Sequence, residues 1–335
     1  MSNILIFRTD RIGDLLTNCP AIISLKDSIK NAKISLVTSK KNDSYAKTFS
    51  FIDETMIFPN DNIFKKLKFA ISLTKRKFDY IFVFDGKDKS IITSAFLKSQ
   101  NKISLVPKNK FYLYFLKIFK IKFVIDDNNT DLIELYQKMF SALKINNKVK
   151  NFDFLKHKID NNSSSRIDIK NYIHLHLNEK WFNKLYISKY TDINPKFKNF
   201  INFILELVKR ENLLITTGLI DFSLLNELKS NFFINSKFNI FTKKINDKTI
   251  YLIDKPSLLD LESLMQKSKI FISCHSGITH IANSYDVKIL DILDEKKKEW
   301  YKRFTSYLTN YNLIYRSNFE ILSKKILKFY DSNVN

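Results

Sequence analysis

Phe271–Asn283 reads FISCHSGITHIAN, and a shorter echo, Ile4–Asp14, reads ILIFRTDRIGD. Each begins as an apolar strand, passes through a Gly-containing turn and enters a segment of helical character. A helix start leaves backbone N–H groups without intrahelical acceptors, and these attract an anion placed there. Two such turns on one chain predict a phosphate-bearing ligand held between two domains.

The chain has 335 residues, more than one core usually accommodates, so two domains of roughly 150 residues each are expected. With 44% hydrophobic and 14% aromatic residues it can fill large cores and is too apolar to be disordered. Neither a run of about 18 apolar residues nor a charged and then apolar leader is present. A cytoplasmic chain that does not span a membrane is the expectation. Cys19 and Cys274 lie far apart without a CxxC or Cys/His cluster, which gives no basis for a disulfide framework or a zinc site. The formal charge of +22, from 56 Lys+Arg against 34 Asp+Glu, favours anionic partners. A general Lys/Asn/Ile/Phe bias accounts for part of it as solvated surface. No nucleic-acid-binding module is recognisable, so nucleic acid is not an expected partner.

Working outward, the first half alternates short β-branched or aromatic runs with helical segments: Asn3–Phe7, a helix ending near Lys30, Lys33–Thr38, Glu54–Phe58, a basic helix over Phe64–Lys75, Tyr80–Asp85 and Lys102–Val106. That alternation predicts a doubly wound parallel sheet covered on both faces. The polar stretch Asp160–Lys170 reads as a linker, dividing an N-terminal domain, 1–164, from a C-terminal one, 165–335. The rhythm then restarts with Tyr172–Leu177, a helix over Lys196–Arg210, Leu213–Thr216, Thr249–Ile253, a helix over Leu258–Lys267, and strands Lys269–Ser273 and Val287–Leu293. Phe319–Tyr330 reads as an amphipathic closing helix. With glycines only at Gly13, Gly86, Gly218 and Gly277, neither GxGxxG nor the P-loop pattern is present, which disfavours NAD and P-loop chemistry.

RTDRIGDLL after the first strand, Pro20 beyond it, FDYIFVFDG at Phe78–Gly86, Lys180–Trp181 after a strand, LESLMQKSKIFIS, and SGITHIA from Ser276 to Ala282 come in an order that resembles glycosyltransferase family 9. That family contains the ADP-heptose:lipopolysaccharide heptosyltransferases. The resemblance implies a GT-B fold, two Rossmann-like domains facing a cleft. It also implies inverting, metal-independent transfer from a nucleoside-diphosphate sugar to a lipopolysaccharide core or similar anionic glycan or glycolipid, with no cofactor.

In that reading Asp14 is the general base, a carboxylate taking the acceptor hydroxyl's proton. Position alone also suits an Asp that complements a helix dipole. Gly13 lets the loop approach the ligand or simply makes a turn. Asp10 and Arg11 orient an anionic acceptor or serve as loop caps and surface charge, and Arg8 is open between the same alternatives. Lys180 matches the lysine that meets the donor phosphate, whereas Trp181 reads as packing. Ser276, Gly277, Ile278 and Thr279 form a diphosphate cradle or an ordinary Ser-capped helix. His280 matches the histidine on that helix. His275 departs from the resemblance, since the family carries Asp there, a carboxylate implied to hold donor-sugar hydroxyls. The stretch after Leu290, DILDEKKKEW, departs as well. Asp221 in TTGLID could accept from a ribose. These departures keep open an alternative, a catalytically reduced relative that binds nucleotide or glycan. Lys108–Phe123, which has five lysines and no acid, and the basic run Lys65–Lys77 suit either an anionic membrane face or half-buried helices with basic outer edges.

Overall fold

A computed structural model describes all residues except 1, 61, 109–112, 147, 151, 159–169, 183–191, 236–238 and 335. The linker expected over 160–170 falls almost wholly outside the described residues, as do 109–112 of the basic segment. The chain divides into two compact units, Met1–Asn161 with Glu299–Tyr307, and Asn162–Lys298 with Leu308–Asn335. Residues 299–307, counted with the second half in the sequence reading, thus belong with the first unit. Buried Arg303 explains why: both its Nη atoms donate to the Asp126 carboxylate at 2.8 Å.

The first unit is built on six strands: β1 Ser2–Arg8, β2 Ala32–Thr38, β3 Glu54–Ile57, β4 Tyr80–Val83, β5 Asn101–Pro107 and β6 Lys122–Asp126. They lie all parallel in the order β3-β2-β1-β4-β5-β6. Ile4, Leu5, Ile6 and Phe7 are completely buried, the continuous apolar run expected of a central strand covered on both faces. Leu5 and Phe7 face a core shared with Leu73, Ile91 and Leu116 of the helices Ile63–Thr74, Asp88–Phe96 and Leu113–Ile118. On the other face Phe82 and Phe84 meet Phe140 and Tyr136 of the helix Leu132–Ala142 edge-on.

The second unit has β7 Tyr172–Leu177, β8 Leu213–Thr217, β9 Ile234–Asn235, β10 Ile240–Ile245, β11 Lys248–Ile253, β12 Ser268–Cys274, β13 Lys288–Leu293 and β14 Tyr311–Tyr315. The order is β14-β13-β12-β7-β8-β11-β10-β9. From β14 to β11 every pair is parallel, and the order repeats that of the first sheet. The expected wholly parallel sheet needs one correction: the edge continues as an antiparallel hairpin, β11-β10, with β9 beyond it. Asn246 turns that hairpin in the left-handed region (φ 55°), which Asn tolerates. The closing helix is Phe319–Asn333, capped by Asn318, whose side chain accepts from Ile321 N at 3.0 Å. It buries Phe319, Leu322, Ile326 and Tyr330.

In each sheet the order reverses between two adjacent strands, β1 and β4 in the first and β7 and β12 in the second. Open α/β sheets bind ligands outside the carboxyl ends of strands at such a switch point. Both stretches picked out in the sequence leave the sheet at these places.

Candidate functional site

At the β1/β4 switch point the loop Thr9–Arg11 leads into the helix Ile12–Ser28. Arg8, buried at the end of β1, donates to Phe84 O (2.7 Å) and to the main-chain O of Asp14 (2.9 Å). It also pairs with the Asp10 and Asp14 carboxylates at 3.3 and 3.6 Å. Burial opposes the charge of Arg8, and nearby acids, Asp10 foremost with Asp14 and Asp85, override it. Arg8 therefore holds the loop from within. Burial likewise raises the Asp10 carboxyl above its usual range against the pull of Arg8, and the charges of Asp14 and Asp85 push the same way.

Asp14 sits in the first helical turn, where its Oδ2 accepts from Arg11 N at 3.2 Å. It caps the helix while its side chain stays one-third exposed, at 34%. Arg11 itself is exposed. Gly13 lies inside the helix, so it makes no tight turn, the second of its two readings; a glycine at positive φ stands across the switch point instead, Gly86, which follows β4 at φ 56°. A Cβ on Gly86 would stand 3.0 Å from Leu105 O. Asp85, not singled out from the sequence, fastens the loop across the switch point. Its Oδ2 accepts from Thr9 N (3.2 Å), Thr9 Oγ1 (2.7 Å) and Ser90 Oγ (2.8 Å), and its Oδ1 from Lys87 N (3.1 Å). An acid directly after the second strand of a switch point was the available signal.

The β7/β12 switch point is drawn together by side chains that reach across it. Asn178 Nδ2 donates to Cys274 O at 2.5 Å, and its Oδ1 accepts from Lys180 N at 3.0 Å. Lys180 Nζ donates to His275 O, so the structure brings together two residues that the sequence reading had named separately. Burial holds the Lys180 ammonium below its usual range. Arg316, unnoticed in the sequence, donates to Lys180 O (2.7 Å), reaches Cys274 Sγ (3.4 Å) and pairs with Asp192 (3.0 Å). Trp181 is fully buried, its indole N–H donating to His176 O at 3.0 Å, as a packing role requires.

Ser276 caps the helix Gly277–Ser284. Its Oγ accepts from Ile278 N (3.2 Å), its carbonyl from Thr279 N (3.1 Å), and its own N–H donates to Thr279 Oγ1 (3.3 Å). Ile278 and Thr279 point inward and are buried. Of the four residues expected to form a cradle, Ile278 and Thr279 thus have their amides already engaged by Ser276. The Gly277 N–H opens the helix with no intrahelical acceptor, and the helix dipole adds to it. His275 Nδ1 lies 2.5 Å from Oδ2 of Asp291, which is fully buried on β13 and also accepts from Tyr311 OH (3.1 Å). The imidazole thus stands where the resemblance implied a carboxylate, with a carboxylate directly behind it. His280 packs edge-on to His275, and burial, then His275, holds it down to about 3. Asp221 is exposed and paired with Lys255 at 2.7 Å, so its expected ribose contact competes with an ion pair. Among the described residues no His/Cys/Asp/Glu cluster could hold a metal.

No family model matches the chain, and no curated protein sequence matches it. Solved structures do. Heptosyltransferase WaaC of E. coli, solved with ADP, matches at TM-score 0.69 and 13% identity over 99% of each chain. A glycosyl transferase family 9 protein from Veillonella parvula matches at 0.66 and 12%, over 100% of this chain and 90% of that one. The UDP-GlcNAc 2-epimerase of Methanocaldococcus jannaschii matches at 0.57 and 14%, over 100% and 94%. The fold expected from motif order is thereby shown: it is the two-unit α/β GT-B fold of these glycosyltransferases.

Proposed function

We propose that the chain is an inverting, metal-independent glycosyltransferase that moves a sugar, heptose or a relative, from a nucleoside-diphosphate donor to a lipopolysaccharide core or similar anionic glycan, working as a peripheral protein at the inner face of the cytoplasmic membrane. One observation carries this reading. The acids Asp10 and Asp14 and the cations and helix start around Lys180 and Gly277 fall at equivalent switch points of two sheets with the same strand order. Asp14 takes the acceptor hydroxyl's proton while the oxygen attacks the anomeric carbon, and the bond from that carbon to the diphosphate oxygen breaks. Lys180 and the Gly277 amide meet the charge left on the departing diphosphate.

The His275–Asp291 pair favours a second reading, a catalytically reduced relative that binds nucleotide or glycan, because a carboxylate implied to hold donor hydroxyls is here replaced by an imidazole. The test is release of nucleoside diphosphate from a donor panel, ADP-heptose first, with a lipopolysaccharide-core acceptor and an Asp14→Ala control. Acceptor-dependent release lost in the variant supports transfer. Nucleotide binding without turnover supports the second reading, and epimerised donor without acceptor use overturns both.

A further inference from the structure

The helix Ile63–Thr74 buries only Leu73 fully, an unusual state for a helix on a parallel sheet. At 3.6 residues per turn, Ile63, Leu67, Ile71 and Phe64 fall within an arc of about 100° on the side away from Phe69 and Leu73. Ile63 is 69% exposed and Phe64 76%. The next two helices continue the surface. Leu73, Ile91 and Leu116 enter one core, so all three helices cover the same sheet face and turn their outer sides the same way. Those outer sides carry Ile92 and Phe96 (59% exposed) on Asp88–Phe96, and Tyr114 (75% exposed) and Ile118 on Leu113–Ile118.

The fringe of this apolar surface is basic. Lys68 and Lys75 border the arc on one side and Lys66 on the other, with Lys65, Lys77, Lys98, Lys117 and Lys120 around it. From Asn62 to Phe78 the chain has no acid. Arg76 does not contribute, being paired with Glu54 at 2.5 Å. Asp88 is the carboxylate on the outward row of its helix. Exposed rings and aliphatics with lysines at their margin suit the boundary between acyl chains and anionic headgroups. A second copy of the chain would fit poorly, since a two-fold contact through this face would set lysines against lysines.

We infer that this three-helix face of the first unit docks on an anionic lipid bilayer. The inference names the surface for the membrane contact proposed above, and its test reads vesicle binding rather than sugar transfer, so either can fail alone. The full chain is sedimented with vesicles of phosphatidylcholine alone or mixed with phosphatidylglycerol, at about 0.05 M and about 0.5 M salt. Binding is expected to the anionic vesicles, weaker at high salt. It should fall at least about tenfold in Phe64→Ser/Leu67→Ser and in Lys65→Glu/Lys68→Glu, both exposed changes whose melting should match the parent. Lys324→Glu/Lys325→Glu, on the closing helix of the second unit, should bind as the parent does. Four results would overturn the inference: no preference for anionic vesicles, undiminished binding in the face variants, equal loss in the Lys324/Lys325 control, or a light-scattering dimer that the face variants dissociate with no vesicle binding.

Discussion

The two switch points share a topology and differ in chemistry. At the end of β1 a buried cation, Arg8, is surrounded by Asp10, Asp14 and Asp85. At the end of β12 the arrangement is reversed, with Lys180, Arg316, His275 and a helix start gathered over one buried acid, Asp291. Composition does not set this, since both lie in a chain with formal charge +22. The strand order fixes where a ligand can be met, and a handful of loop residues decides whether acids or cations gather there.

The comparison breaks most directly at Asp14. Asp14→Asn should lower transfer by about 10²–10⁴-fold, the usual weight of a positioned general base, measured as kcat. Asp10→Asn tests whether the more buried carboxylate is the base instead: a larger loss than at Asp14 would transfer the role to it. Next in size is Arg8→Met, which removes the buried cation that three part-buried acids share and should destabilise the protein by about 3–5 kcal/mol in urea unfolding. An effect under about 1 kcal/mol would mean that the acids of the first site are stable without Arg8.

Acid should separate the two regions by sign. His176 is held down to about 4 by burial, His280 to about 3, and His174 well below its usual value. The unfolded chain therefore binds protons that the folded chain refuses. Stability that these groups confer above pH about 6.5 is lost as pH falls toward 4, by up to about 1.4 kcal/mol per pH unit for each histidine. Asp10, raised by burial, acts oppositely: the folded state holds its proton longer, so acidification from that raised value down to the ordinary carboxylate range favours the first site. Thermal melts between pH 7.5 and 4.5 check this. His176→Gln should flatten the acid loss and Asp10→Asn should not. The smallest effect concerns Gly86. Gly86→Ala places a Cβ 3.0 Å from Leu105 O at positive φ and should cost about 1–2 kcal/mol, read from the denaturation midpoint.

Apolar runs such as Ile4–Phe7 and Phe271–Ile272, together with the turns that follow them, made the parallel sheets and the two ligand-facing turns legible from the sequence, whereas the strand order that makes them switch points came from the structure. The antiparallel pairing was not: Thr249–Ile253 was read as a strand, but its partner Ile240–Ile245 sets two lysines among aliphatics with no clean alternation of burial, so nothing marked β10. In the sites, Asp14, Lys180 and His275 were named from their loops and from the resemblance, and the structure sets them at the two switch points. Asn178, Asp291 and Arg316 reach across the site to partners between 16 and 136 positions away in sequence, and no local pattern reports that; Asp85 stood in a readable place, but its contact with Thr9 spans 76 positions. The engagement of two amides of the expected Ser276–Thr279 cradle was hidden for the same reason, since only the fold shows which amides Ser276 already occupies.

The excursion of Glu299–Tyr307 into the first unit bears on synthesis. Domains tend to form in the order in which they leave the ribosome, yet here the first unit is completed almost last. Until Arg303 emerges, the Asp126 carboxylate lacks its two-point partner, while the second sheet, apart from β14, has already been made. A nascent fragment ending at 161 is therefore an unfinished body, and cutting the gene between the two units should yield pieces that need each other to mature.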